Sequence, residues 1–327
     1  MSPQAPGSVV LVRPHHFAPN PQTNTDNSFH SWDVAPLFRR DISQSAFNAS
    51  TRLARALETA GVDVHVFEDT ETHRPDSVFP NNWFSTHAGG RMALYPMFAE
   101  NRRTERRTDI VDFIKRHYQV GEVIDFSGLE EDGMYLEGTG TMVLDHVARV
   151  AYTAKSRRAH PLALERFCAR FDYEPVFFSA QDSDGRAIYH TNILMSIATE
   201  FALVGFDSIR VKSQRRRIES KLADSGREAV ALSQSQLREF AGNAIELTSR
   251  HGHRVLALSA RAARSLTPWQ RGVIEDSCQI LPVDVGPIEM AGGSVRCMIA
   301  GIHLQRRLGA AQPEPRADEF EAFPQAV

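Results

Sequence analysis

The chain has 327 residues, of which 42% are hydrophobic and 24% charged, as is usual for a globular protein with a large core. Its formal net charge of −3 offers no electrostatic basis for binding nucleic acid or an anionic membrane. Three widely spaced cysteines argue against a disulfide framework, and no apolar run approaches the roughly 20 residues of a membrane span. The N-terminus also lacks the pattern of a signal peptide. We therefore expect a soluble cytoplasmic protein, and the composition leaves a homo-oligomer open.

Alternating apolar runs predict strands, and apolar residues at helical spacing predict helices. In chain order, the predicted elements are a strand at 9–12, a helix at 43–60 and a strand at 62–67; an apolar segment at 78–84, a strand at 92–95, a helix at 108–118 and a strand at 122–126; strands at 142–144 and 148–152, a helix at 161–171 and a strand at 176–178; strands at 193–195 and 201–204, a helix at 216–223 and a strand at 229–232; strands at 244–247 and 255–258, a helix at 268–277 and a strand at 279–282.

The order strand, strand, helix, strand recurs along the chain, which indicates a repeat architecture. One polar or reactive residue precedes the first strand of each unit, at spacings of 53 to 55 residues: Asn82, Glu137, His190, Asn243 and Cys297. The unit that begins at Cys297 lacks its last three elements, which the segment from 9 to 67 supplies. We therefore expect the two ends to complete one module of a closed ring without an exposed sheet edge, with the five marked side chains facing one cleft.

The domain boundaries follow from the same pattern. We predict a single domain over residues 8–307, followed at 308–327 by a tail whose prolines and acidic residues favour disorder. The polar segment from Asn20 to Asp33 is long for a loop, so we expect it to cover a site.

Cys297, His190 and Glu137 are the candidate catalytic residues. A nearby imidazolium would stabilise the thiolate of a cysteine, whose pKa is ordinarily near 8.5. The histidine would then protonate a leaving amine and accept a proton from water. A carboxylate beside the histidine would orient it and raise its pKa. Each residue alone also fits a structural role, but three at one repeat position favour catalysis.

Four separated motifs resemble the pentein superfamily of guanidine-modifying enzymes, which includes arginine deiminases, dimethylarginine dimethylaminohydrolases and amidinotransferases. They are Pro75-Asp76-Ser77-Val78-Phe79-Pro80-Asn81-Asn82-Trp83, Leu136-Glu137-Gly138, His190-Thr191-Asn192 and Gly292-Gly293-Ser294-Val295-Arg296-Cys297. The resemblance covers residues 8–304 and implies an α/β fold, a five-bladed α/β propeller of ββαβ modules with pseudo-five-fold symmetry. It also implies Cys297 as nucleophile, His190 as acid and base, Glu137 as its orienter, and no metal or organic cofactor.

Two departures from the family pattern bear on the substrate. The family grips a guanidinium with two aspartates, and this chain has Asn82 and Asn192 at those positions. A guanidinium offers only N–H donors, whereas a ureido group presents a carbonyl oxygen that needs a donor. This favours a hydrolase that converts citrulline to ornithine, carbon dioxide and ammonia through an S-carbamoyl-cysteine, and the motifs look like the citrulline-hydrolysing branch. The usual Glu-Gly-Gly-Asp is here Glu137-Gly138-Thr139-Gly140, without the aspartate.

Several alternatives remain open at this point. They are an arginine or dimethylarginine hydrolase, with Asp76 as the first carboxylate to test, an amidinotransferase, and a non-catalytic binding protein similar to the ribosome anti-association factors. Arg103 and Arg158 are candidates for binding the α-carboxylate of an amino acid, because arginine offers a bidentate fork. Asn243 completes the predicted substrate-binding residues.

Other polar clusters point to no further ligand. The histidines at 15–16 and at 251 and 253 lack further ligands at metal-binding spacing. The basic run at 215–217 has no aromatic platform beside it for nucleic acid. A small amino acid is therefore the only partner that the sequence predicts.

Overall fold

The computed structural model describes residues 4–23, 29 and 39–308, which form fifteen strands and ten helices. The strands are β1 Ser8–Pro14, β2 Asp63–Asp69, β3 Phe84–His87, β4 Arg91–Leu94, β5 Glu122–Asp125, β6 Met142–Asp145, β7 Val150–Ala154, β8 Glu174–Phe178, β9 Met195–Ile197, β10 Phe201–Val204, β11 Glu228–Ala231, β12 Ile245–Thr248, β13 Arg254–Ser259, β14 Gln279–Val283 and β15 Ala300–Ile302. The helices are α1 Arg39–Thr59, α2 Thr108–His117, α3 Gly138–Thr141, α4 Pro161–Phe171, α5 Thr191–Leu194, α6 Lys212–Asp224, α7 Gln234–Arg238, α8 Ala260–Ser265, α9 Pro268–Glu275 and α10 Gly286–Glu289.

The strands of the described residues form five three-stranded sheets with one connectivity. In four of them the middle strand, β4, β7, β10 or β13, pairs antiparallel with the strand before it and parallel with the strand after it. Parallel neighbours require a crossover connection, and helices α2, α4, α6 and the α8–α9 pair provide it. The predicted order strand, strand, helix, strand is confirmed in these four units.

The fifth sheet joins the two ends of the chain. β1 pairs antiparallel with β15, with Val9 opposite Gly301, and parallel with β2, with Val9 opposite Val64. Helix α1 makes the crossover between β1 and β2. The prediction that the ends complete one module is therefore confirmed.

Local sequence explains where the crossover helices begin and which face they bury. Helix α9 begins at Pro268 after a capping box, in which Thr267 Oγ1 accepts from Gln270 N at 3.3 Å and Gln270 Oε1 accepts from Thr267 N at 2.9 Å. Helix α2 buries Ile110 and Ile114, four residues apart, against its sheet. Each unit thus closes over its own part of the apolar core.

Some expectations fall outside the described residues or differ from them. The predicted disordered tail lies beyond 308, outside the described residues, and the predicted covering loop is described only over residues 20–23 and 29. The strand expected to start at Cys297 begins instead at Ala300, because residues 294–298 form hydrogen-bonded turns. None of the described helices combines the length and apolar character needed to cross a bilayer.

Candidate active site

The five residues that recur along the sequence occupy equivalent places in the fold. Asn82, Glu137, His190, Asn243 and Cys297 each lie in the turn or short helix that leads into the first strand of a sheet. All five are buried, with at most 3% of any residue exposed. Because the same local turn is used five times, residues far apart in the sequence come to one site.

One cavity collects most of the predicted site residues. Its lining includes three of the marked residues, Asn82, His190 and Cys297, together with Asp76 and Arg158. The remaining lining residues are Thr23, Phe79, Arg102, Tyr189, Ala291 and Gly293. The first and third segments of the resemblance and the glycine turn before Cys297 therefore meet in one cavity.

Glu137 lies behind His190 and fixes its orientation. Glu137 Oε2 is 2.7 Å from His190 Nε2, and both side chains are buried. Burial alone would raise the pKa of Glu137, but Arg158 and His190 hold it well below its usual value. An ionised carboxylate only accepts hydrogen bonds, so Nε2 carries the proton and Nδ1 is left as the base.

Glu137 raises the pKa of His190 as expected, but the net shift of that pKa is downward. Burial lowers the pKa of His190, and this outweighs the raising effect of Glu137. The nearby guanidiniums of Arg158 and Arg102 lower it further. His190 is therefore the neutral imidazole at neutral pH in the unliganded site.

Two amide groups contact the sulfur of Cys297. Asn192 Nδ2 and Asn243 Nδ2 each donate to Cys297 Sγ at 3.3 Å. Asn243 is itself fixed, because its Nδ2 also donates to the Asn192 carbonyl at 2.9 Å and its Oδ1 accepts from Arg296 N at 3.0 Å. Such donors stabilise a thiolate, so this is where the negative charge of a nucleophile is best accommodated.

The glycine turn before Cys297 is shaped by close packing. Gly292 has φ +79°, a conformation that favours glycine, and its carbonyl accepts from Tyr189 Oη at 2.5 Å. A Cβ on Gly293 would come within 2.6 Å of the Phe79 ring. The two glycines thus let the backbone carry Cys297 into the cavity wall.

The packing at Gly140 explains why this chain lacks the aspartate of the Glu-Gly-Gly-Asp pattern. A Cβ at Gly140 would lie 2.3 Å from Asn82 Nδ2 and 2.9 Å from His190 Nδ1. No larger side chain fits between these two groups without displacing them. The position therefore keeps the base nitrogen of His190 clear.

Arg158 lies in the cavity wall as predicted. Its Nη1 is 3.5 Å from Glu137 Oε2, its Nη2 donates to the Thr23 carbonyl at 3.1 Å, and its guanidinium lies 4.7 Å from the centre of the Tyr189 ring. These contacts hold a cation over the cavity, where an anionic group of a ligand would meet it.

Arg103 does not lie in the cavity, which corrects the prediction for that residue. Its Nε contacts the Met97 carbonyl and Glu130 Oε2, both at 3.3 Å. The neighbouring Arg102 lines the cavity instead. The short 3-10 helix Glu100–Glu105 turns Arg102 inward and Arg103 outward. All six of its residues are charged or polar, so the sequence carries no apolar signal of that direction.

Arg102 is held in a buried network. It forms a bidentate pair with Glu105, 2.9 Å on each side, and its Nη1 donates to Asn82 Oδ1 at 3.0 Å. Burial raises the pKa of Glu105 to about 7, while Arg102 opposes that rise. The oxygen of the Asn82 amide is thus engaged by the protein's own guanidinium.

Asp76 is the one carboxylate among the residues that line the described cavity. Its Oδ2 accepts from Asn20 Nδ2 at 2.7 Å and from Thr23 Oγ1 at 3.3 Å, and Arg102 Nε is 3.8 Å away. The predicted covering loop therefore contacts the site through Asn20 and Thr23. No described group of three or more His, Cys, Asp or Glu side chains is arranged to hold a metal ion.

The comparisons with known proteins place this geometry in a family. A family model for N,N dimethylarginine dimethylhydrolase of the eukaryotic type matches residues 13–304. The chain belongs to that family. This confirms the membership of the pentein superfamily that the four motifs predicted. A search of curated protein sequences found no match to this chain.

Solved structures share the fold at low sequence identity. Apo ArgZ, an arginine dihydrolase from the ornithine–ammonia cycle in cyanobacteria, has a TM-score of 0.70 and 14% identity over 92% of this chain and 41% of its own. This chain thus spans about two fifths of ArgZ. The N-terminal domain of ArgZ, solved with bound substrate, matches with a TM-score of 0.68 and 14% identity over 90% of this chain and 97% of its own. A dimethylarginine dimethylaminohydrolase adduct matches with a TM-score of 0.62 and 14% identity over 92% of this chain and all of its own, 100%.

Proposed function

We propose that this protein is a cysteine hydrolase that acts on the ureido carbon of citrulline and releases ornithine, ammonia and carbon dioxide. The observation that carries the proposal is the set of groups at Cys297, where two amide N–H donors contact the sulfur and His190 lines the same cavity. A non-catalytic binding protein has no use for this arrangement. The family membership supports hydrolysis at this type of carbon.

The chemistry follows from the roles of the two residues. His190 Nδ1 takes the proton of the Cys297 thiol, and the resulting thiolate attacks the ureido carbon. The imidazolium then gives that proton to the side-chain nitrogen of ornithine, the bond between this nitrogen and the carbon breaks, and an S-carbamoyl cysteine remains. His190 next takes a proton from water, whose oxygen attacks the carbamoyl carbon. The C–S bond breaks, the sulfur recovers the proton, and the released carbamate decomposes to ammonia and carbon dioxide. Glu137 supports both proton transfers by keeping Nε2 protonated.

The choice of a ureido over a guanidinium group rests on the donors at the reacting end. Asn192 and Asn243 present N–H groups at the sulfur, and Asn82 has its oxygen already bound to Arg102. N–H donors suit a carbonyl oxygen that gains negative charge, whereas they oppose the N–H groups of a guanidinium. These contacts favour citrulline over arginine.

A second candidate, hydrolysis of arginine or dimethylarginine, is favoured by the match to the dimethylarginine dimethylhydrolase family model and by one feature of the cavity. Asp76 lines the cavity and offers a carboxylate to a cationic group. In the citrulline proposal the same carboxylate binds the α-ammonium group, and Arg158 binds the α-carboxylate through its fork. The two candidates therefore differ in which end of the substrate approaches Asp76.

We also infer that the five sheets form a five-bladed propeller around this site. The inference is supported by contacts between successive units, where β15 meets β3, β6 meets β9, and β9 meets β12. A ring of this kind brings one residue per unit to its axis, in agreement with the 53-to-55-residue spacing. Removing residues 1–14 should therefore abolish folding, as judged by far-UV circular dichroism, and a folded, active truncation would contradict the ring.

The decisive experiment is a substrate comparison with purified protein. Citrulline, arginine and asymmetric dimethylarginine are incubated separately, and ornithine, ammonia, citrulline and dimethylamine are measured. We expect ornithine and ammonia from citrulline and no turnover of the two guanidino compounds. Release of citrulline from either guanidino compound, with citrulline itself unchanged, would establish the second candidate.

Two variants separate the candidates further. Asn82→Asp places a carboxylate beside the cavity, so citrulline turnover should fall roughly 10²-fold or more through repulsion of the developing oxyanion. Asp76→Asn should weaken binding of either substrate, but it should abolish turnover only if Asp76 grips the reacting guanidinium. A rise of kcat on citrulline in Asn82→Asp would contradict the proposal that the Asn82 amide tolerates a developing oxyanion that a carboxylate would repel.

A further inference from the structure

A second cavity lies beside the residue that precedes Cys297. It shares no lining residue with the catalytic cavity, and its empty volume is about 420 Å³ against about 290 Å³. Its wall is polar and includes Gln4, His146, Ser196, Glu246, Arg296 and His303. The wall therefore offers a cationic and an anionic side chain to a small polar ligand.

Arg296 brings a cation to this wall without a carboxylate partner. Its Nη1 donates to the Ile299 carbonyl at 3.1 Å, and none of the described carboxylates lies within 4 Å of its guanidinium. Burial lowers the pKa of Arg296 to about 10, which still leaves it charged at neutral pH. A half-buried guanidinium without a carboxylate partner is stabilised by an anionic ligand.

Glu246 brings an anion to the same wall with one oxygen unused. Its Oε2 accepts from Thr199 N at 2.7 Å and from Thr199 Oγ1 at 2.5 Å. Its Oε1 is buried without a hydrogen-bond partner in the described residues, and the closest cation recorded for it is Arg254 Nη1 at 3.7 Å. The unused oxygen can accept from an N–H donor of a ligand.

We propose that this second cavity binds a small zwitterion, an α-amino acid, with its carboxylate on Arg296 and its ammonium group on Glu246. The two side chains line one cavity but do not pair with each other. A simple anion would be repelled by Glu246 and a simple cation by Arg296, so a molecule that carries both charges fits the pair best.

The site is connected to the nucleophile by two hydrogen bonds. Arg296 N donates to Asn243 Oδ1 at 3.0 Å, and Asn243 Nδ2 donates to Cys297 Sγ at 3.3 Å. The backbone of Arg296 therefore supports one of the two donors to the sulfur, while its guanidinium faces the second cavity.

Isothermal titration of the full-length protein with L-alanine tests the proposal, because L-alanine carries both charges and no ureido or guanidino group. Acetate and ethylammonium serve as single-charge probes. We expect saturable binding of L-alanine and at least tenfold weaker binding of either single-charge probe. No saturable binding of L-alanine, or acetate binding with equal affinity, would overturn the zwitterion site.

Matched variants locate the binding. Arg296→Gln and Glu246→Gln should each weaken L-alanine binding at least tenfold, whereas Arg103→Gln, which lines neither cavity, should leave it within about twofold. Arg158→Gln and Asp76→Asn, in the catalytic cavity, report any L-alanine that binds there. Either second-cavity variant is sufficient if the other fails to fold. The opposite pattern, with loss only in the catalytic-cavity variants, would place the ligand at the active site and refute the second site.

Discussion

The three cysteines of this protein are all buried, yet their surroundings differ in kind. Cys168 and Cys278 lie in apolar clusters, and burial raises the pKa of each thiol to about 12. Cys297 is as buried, with 3% of the residue exposed, and also packs in an apolar cluster, but it lines the catalytic cavity and receives two amide N–H bonds. Burial alone therefore does not distinguish a structural from a reactive thiol. The polar groups at the sulfur do.

The same contrast explains why the apolar cysteines stay protonated. Cys278 Sγ donates a hydrogen bond to the Ile274 carbonyl at 3.6 Å. A carbonyl accepts from a thiol but repels a thiolate, whereas an amide N–H stabilises the thiolate. Reactivity is thus set by whether donors or acceptors surround the sulfur.

The sharpest test of this comparison is to remove each thiol in turn. Cys297→Ala should reduce turnover roughly 10⁴-fold or more, since the covalent step is lost. Cys168→Ala and Cys278→Ala should keep kcat within about threefold and serve as controls. Steady-state kinetics on citrulline measure all three. Normal activity in Cys297→Ala would refute the nucleophile assignment.

Alkylation should separate the same thiols in the native protein. With a pKa of about 12, Cys168 and Cys278 at pH 8 expose roughly 10³-fold less thiolate than an unfolded cysteine. Iodoacetamide should therefore label Cys297 first, as read by peptide mass spectrometry, and substrate should slow that labelling. The reactivity of the other two should rise as the pH rises towards 12. Early labelling of Cys168 or Cys278 in folded protein would contradict the comparison.

The amide donors at the sulfur can be removed one at a time. Asn192→Ala and Asn243→Ala should each lower turnover roughly 10²-fold and slow alkylation of Cys297, because one donor to the charged sulfur is lost. Asn101→Ala is a matched control, because the amide of Asn101 donates to Asn20 and does not contact Cys297 Sγ. Alkylation at the native rate in both donor variants would show that the amides do not set thiol reactivity.

The smallest expected effect is on stability. Cys278→Ser places a hydroxyl in an apolar cluster and should lower the free energy of unfolding by roughly 1–3 kcal/mol. Cys278→Ala removes only the sulfur and should cost about 1 kcal/mol. Urea unfolding followed by circular dichroism compares them. Equal stability of the two variants would mean that the site around Cys278 is more polar than the structure indicates.

The sequence predicted the module order and the meeting of the marked residues correctly. Apolar periodicity is a local property that the chain displays directly, and a repeated turn places equivalent residues equivalently. For this reason the sheet that joins β1 to β15 and the cavity with Asn82, His190 and Cys297 both followed from spacing.

The tertiary structure alone decided the finer points. Arg102 rather than Arg103 enters the cavity because a 3-10 turn sets its direction, and a run of charged residues has no periodicity to reveal it. The pKa of His190 falls although Glu137 is its neighbour, because the loss of solvation depends on everything packed around the ring. Arg296 and Glu246 likewise line one second cavity although no motif connects them. Local pattern fixes which residues recur, but distances, burial and charge balance arise only when the whole chain is packed.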